Sequence, residues 1–259
     1  MDEQLLMKTA ALAGELLLEN GAETYRVEDT MDHILKTADN LESSDVMVVM
    51  TGITATLKVK DEDIITVMKR VKSISTNLNI IVQVNEISRA LCSKQISLED
   101  AYDKMLELKP GIYSKRAYEM AYIVICVGFV IFFGGGPVDV FAGFIVGIFF
   151  NAFSAVAKDL NIHDVLHQVV VSIGIAFVSM TLKSFLKVSM NADVVMIGCI
   201  MPLVPGITFT TSIRDFHNGD YLSGTIHLID ALTTALCIAV GICLPLAIYS
   251  YMGGGALLP

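Results

Sequence analysis

The chain has 259 residues, 54% of them hydrophobic, a mean hydropathy of +0.62 and a net charge of -9 at pH 7. That apolar excess is too large for a protein lying wholly in water, and an acidic chain with no concentrated basic face argues against a nucleic-acid partner. Fourteen of the eighteen Lys and Arg residues fall between Lys8 and Arg116, so the charge divides the chain into a polar first half and an apolar second half.

In the first half, Leu5, Leu6, Ala10, Leu12, Ala13, Leu16 and Leu17 recur at helical spacing from Glu3 to Leu18, ended by Asn20-Gly21. Asp2, Glu3, Lys8, Glu15 and Glu19 interrupt any apolar leader, so the first helix is expected to remain part of the protein. A second helix is predicted over Thr24 to Ala38, with Val27, Met31, Ile34 and Leu35 as its buried face. Val46 to Lys60 reads as two strands turning at Thr51-Gly52, and Ile64 to Arg70 as a third. Helices follow over Leu78 to Ser93 and Leu98 to Leu108, the latter opened by Ser97 with Asp100 three residues on. This order predicts a small α+β domain over 1-115, cytoplasmic, with helices covering one face of a sheet.

The second half, 116-259, is predicted to be an all-α transmembrane domain of about five helices, over 118-135, 138-157, 165-186, 194-213 and 221-250. The first four are close to the roughly 20 residues needed to cross a bilayer, and the last is long enough to tilt or to begin in the interface. Lys109, Lys115 and Arg116 ahead of the first span place the N-terminal domain inside and the C-terminus outside; the Lys183/Lys187 pair conflicts with that orientation and is outweighed. Gly143, Gly147, Asn151 and Ala155 make a stripe that lets another helix approach closely, and the Asn151 amide demands a partner in hydrocarbon. Pro202, Pro205 and Gly206 remove backbone donors and predict a broken fourth helix, with Thr208 and Thr211 following. Such a break either opens a carboxylate site at a half-helix N-terminus or is a kink satisfied by Thr hydroxyls. In the fifth span Ser223, His227, Asp230 and Thr234 share a face. Asp230 is the expected proton or cation relay with His227 as its partner, unless both merely meet water at the interface; Asp139 is a weaker competitor.

No catalytic constellation is present: there is no GxSxG, HExxH or Walker loop. The five cysteines form no metal-ligand spacing and are expected to be reduced thiols, so no metal and no cofactor is predicted. Glu19, Asn20, Gly21, Glu23, Tyr25, Arg26 and Glu28 form a polar cluster that suits either a solvated helix-turn-helix or a binding site.

The run Leu17 to Glu28, together with Met201-Pro202-Leu203-Val204-Pro205-Gly206 and Ile213 to Gly224, resembles the threonine/serine exporter family, and looks most like the larger subunit of its split form, the YjjP type. The resemblance implies a bacterial inner-membrane exporter of small carboxylate-bearing metabolites, namely threonine and serine or, in the split form, succinate. Fused members carry a second membrane module that this sequence lacks, which implies a separate small membrane subunit and a homo- or hetero-oligomer in the lipid bilayer. The expected reading is a proton-coupled secondary transporter and not an enzyme. Its substrate or proton pathway would be lined by Asp230, His227, Asn151, Pro202, Pro205, Gly206, Thr208, Thr211, Arg214 and Asp215. A membrane-anchored metabolite sensor or hydrolase acting through the first domain is the alternative.

Overall fold

A computed structural model describes residues 2-109, 111, 113-159, 164-186 and 190-251. The chain forms two compact units, one of Met1–Gly111 with Thr210–His227 and the other of Ile112–Phe209 with Leu228–Pro259.

In the first unit, α1 (Glu3–Glu19) starts where the Asp2 carboxylate accepts the Leu5 amide, and ends at Asn20, whose side-chain amide donates to the Leu16 carbonyl at 2.7 Å. Gly21 then adopts φ +86°, where a Cβ would lie 2.9 Å from the Ser75 carbonyl oxygen. The helix α2 (Thr24–Leu35) follows, then strands β1 (Leu41–Val49), β2 (Gly52–Val59) and β3 (Ile65–Arg70) in one antiparallel sheet of that order. β1 starts five residues ahead of the predicted strand edge, because Leu41 and Ser43 to Asp45 extend the ladder against Thr56 to Val59. In β2, Ile53, Ala55, Leu57 and Val59 are buried while the residues between them are not, so one face carries the core. Leu6, Leu17, Val27, Met31, Ile34, Leu35 and Val84 cover it from α1, α2 and α3 (Leu78–Cys92). Then α4 (Leu98–Leu106) opens with the Ser97 hydroxyl accepting the Asp100 amide at 3.1 Å.

The second unit holds α5 (Lys115–Phe132), α6 (Pro137–Asp159), α7 (Asp164–Leu186), α8 (Ala192–Ile200) and most of α10 (Tyr221–Tyr251). Among the described residues three helices are long and apolar enough to cross a membrane: Pro137–Val156, Val165–Phe185 and Tyr221–Tyr251. The count rises to four if α8 with its 3-10 turn (Met201–Leu203) and α9 (Gly206–His217) together form one span. Five spans were expected. α5 falls short because Lys115, Arg116 and Glu119 occupy its first turns, leaving a shorter apolar run before the helix stops at Phe133 and Gly134. The expected joints at 160-163 and 187-189 lie outside the described residues.

Gly143 and Gly147 do admit α5: a Cβ at Gly143 would stand 3.0 Å from the Val130 side chain, and one at Gly147 3.2 Å from the Ile123 Cα. The core there is Cys126, Val130, Ala142, Val146, Phe150, Val171, Ile175, Val195 and Cys199. Among the described residues no group of three or more His, Cys, Asp or Glu is placed to hold a metal ion.

Candidate functional site

The predicted break falls at the two prolines. Pro202 lies in the 3-10 turn, Val204 turns to an extended conformation (ψ 126°), and Pro205 precedes Gly206, where α9 restarts with the helix bent by 55°. Without their amide hydrogens the prolines cannot continue the ladder, and the Gly206 amide instead donates to the Val204 carbonyl at 2.8 Å. Thr208 and Thr211 are half-buried on α9.

Past the break, α9 runs to His217 and the chain reverses through Gly219, at φ +86°, into α10. The two arms of this hairpin carry matched polar residues. Ser212 donates to the Gly224 carbonyl at 2.8 Å, and three residues further along each arm His227 Nδ1 lies 2.8 Å from Asp215 Oδ2. Asp215 is almost completely buried and the His227 side chain is 15% exposed, so this acid-imidazole pair is sheltered from solvent. The second Asp215 oxygen and the Ser223 hydroxyl are also buried, and neither has a protein partner among the described residues. Buried polar atoms left in that state call for a water, an ion or a proton.

The same hairpin is bound to the first residues of α2. Glu23, its N-cap residue, is 14% exposed; one carboxylate oxygen receives Arg214 in a short ion pair and the other receives Arg26 at 3.2 Å. The buried Thr24 hydroxyl donates to Asp220 Oδ2 at 2.7 Å, while Asp220 Oδ1 accepts the Ser223 amide at 3.2 Å and so caps α10. Two segments nearly two hundred residues apart in sequence are thereby joined by one ion pair and one hydrogen bond.

The other residues of the first polar cluster have different work. Asn20 and Gly21 make the turn, and the Glu19 carbonyl accepts the Ser75 amide at 2.8 Å. The Glu28 carboxylate accepts the Val48 amide of β1 at 2.9 Å, and Tyr25 stands on the surface. In the second unit Asn151 finds its partner, donating from Nδ2 to the Glu119 carbonyl at 2.8 Å. Asp139 accepts the Gly136 and Asn191 amides at 2.9 and 2.7 Å, which occupies both of its oxygens. Asp230 is exposed, and the imidazole expected to pair with it pairs with Asp215. Thr24, Asp220 and Ser212 were not among the expected site residues, and Ser223 was expected only as part of the His227 face. Each stands inside or beside the runs that carry the resemblance, but their pairing depends on tertiary contact.

Apolar helices of membrane-crossing length, one broken at two prolines, define an integral membrane protein, and the buried acid-imidazole pair is more than an anchor needs. The chain belongs to the threonine/serine exporter family, whose model, described as "Putative threonine/serine exporter", matches residues 8–249. That is a transporter family and not an enzyme family. A curated relative, an uncharacterized protein of Schizosaccharomyces pombe, is 23% identical over 184 residues, covering 68% of this chain and 22% of that protein. The chain therefore spans about a fifth of the length of the curated relative it matches. No solved structure matches.

Proposed function

We propose that this chain is a subunit of a proton-coupled exporter of small carboxylate-bearing metabolites, threonine and serine or succinate, in a bacterial inner membrane. The observation that carries the reading is the Asp215-His227 pair: a buried carboxylate hydrogen-bonded to an imidazole, its other oxygen without a protein partner among the described residues. Such a pair takes up and releases a proton without exposing a bare charge. The restart of α9 at Gly206 supports a carboxylate cargo, because the positive end of a helix favours an anion.

A small membrane partner fits α10. Leu232, Leu236, Val240, Leu244 and Ile248 form an exposed apolar stripe along it, and Asp230 is exposed on the same helix. An ionised carboxylate against lipid costs about 2.5–3.5 kcal/mol, a cost removed by a partner that covers Asp230.

The test is efflux of labelled threonine and labelled succinate from proteoliposomes, with and without a pH gradient, for wild type, Asp215→Asn and Asp230→Asn. Gradient-dependent efflux that falls at least tenfold in Asp215→Asn supports the reading. Efflux of neither solute from folded protein reconstituted with its membrane partner overturns it.

A further inference from the structure

We infer that the seam between α2 and α3 is a binding site for a small free carboxylate, separate from the Asp215-His227 pair. Helices that lie side by side ordinarily meet through apolar residues at spacings of three and four. Here Arg26, Asp29, Thr30 and His33 follow that spacing on α2, and Asn85, Ser88 and Arg89 follow it on α3, all lining one cavity of about 240 Å³. The apolar faces of both helices, Val27, Met31 and Ile34 on one and Ile80, Ile81 and Val84 on the other, are already spent on the core. The seam is open to solvent, with the Arg26, His33 and Asp29 side chains 49%, 62% and 70% exposed, so a polar ligand enters it directly from water.

The charge in the seam selects that ligand. Arg26 and Arg89 line the seam with one carboxylate, Asp29, and a guanidinium matches a carboxylate through two parallel hydrogen bonds. His33 Nδ1 donates to the Asp29 carbonyl at 2.7 Å and lies 3.3 Å from the Asp29 carboxylate. Asp29 is left able to accept the ammonium of an amino acid, while Ser88 closes the floor, buried and donating to the Asn85 carbonyl at 3.0 Å. The carboxylate of threonine matches the arginines and its ammonium matches Asp29, whereas succinate matches the two arginines alone. Arg26 is also the second partner of Glu23, so a carboxylate that draws Arg26 away leaves Glu23 to Arg214 alone. Occupancy of the seam is in this way felt at the hairpin.

Cys92 lines the same cavity and reports on it. Burial raises its thiol above the ordinary value, so unliganded protein is alkylated slowly at neutral pH and faster in mild alkali. The experiment uses the full chain in detergent with Cys237→Ser and Cys243→Ser, and measures maleimide labelling of Cys92 and equilibrium dialysis of labelled threonine, succinate and inorganic phosphate. At least one carboxylate is expected to bind at millimolar concentration and to slow labelling at least fivefold. Arg89→Gln weakens binding at least tenfold, and Asp29→Asn weakens threonine but not succinate. Should Arg89→Gln fail to fold, Asn85→Leu reads the same site. Labelling that neither carboxylate slows, binding that Arg89→Gln leaves at the wild-type level, or binding of phosphate alone would each overturn the inference. None of these readouts depends on transport.

Discussion

Replacing Thr24 with Val tests how the α9-α10 hairpin is held. Val has the shape of Thr, so packing at this buried position is kept and one bond is lost, the 2.7 Å donation to Asp220. A hydrogen bond to an ionised acceptor contributes about 1.5–3 kcal/mol. Asp220 is half-buried and keeps the Ser223 amide, so water recovers part of that, and the expected loss is about 1–1.5 kcal/mol. Because about 1.4 kcal/mol is a factor of ten, local opening of residues 210-227 becomes roughly five to ten times more frequent. Hydrogen-deuterium exchange of peptides covering that segment, with β2 peptides as internal reference, reads this directly. Asp220→Asn, which keeps a carbonyl acceptor, should show a smaller effect. Unchanged protection of 210-227 in Thr24→Val would refute the claim that this bond secures the hairpin.

Two further substitutions separate turn, packing and pathway. Gly21→Ala forces an L side chain to φ +86° with its Cβ 2.9 Å from a backbone oxygen. The left-handed conformation alone costs about 1–2 kcal/mol, and the thermal midpoint of β2 exchange protection should fall by roughly 10 °C. Asn151→Leu removes the donation to the Glu119 carbonyl and should cost the second unit about 0.6–1.7 kcal/mol. If the amide serves only to clamp α6 to α5, thermal stability in detergent falls while KM for efflux is unchanged; a raised KM would place it on the pathway.

Much of the first unit was legible because its signals are local. The stripe from Leu5 to Leu17, the stop at Asn20-Gly21, the Ser97 cap and the glycine turn between two Val- and Thr-rich strands each act within a few residues, and each stands where its spacing puts it. The first apolar segment was harder. Its composition suggested a span over 118-135, but the helix begins at Lys115 and spends its first turns on charged side chains. Hydropathy registers an apolar run without registering where the helix around it begins. The polar cluster at residues 19-28 was visible as a cluster, yet its division of labour was not. Glu28 goes to a strand amide and Glu23 to Arg214, two carboxylates five residues apart whose partners lie in different directions along the chain.

The misread partner of His227 shows what periodicity leaves out. Spacing along one helix puts Asp230 a turn from His227, and within a single helix no better acid is available. A hairpin lays a second helix alongside the first, so side chains of its two arms meet across the turn. Ser212 and Asp215 stand three apart on one arm, Gly224 and His227 three apart on the other, and both cross-arm pairs are separated by twelve residues. The hairpin, and not the spacing along either helix, makes these pairs. It also accounts for the chemistry, since Asp215 reaches an interior position only because α9 and α10 close around it, whereas Asp230 lies beyond the hairpin and stays exposed. An acid that is to hold a proton out of water must be sheltered by its own fold or by a partner, and on this chain the fold does so for Asp215.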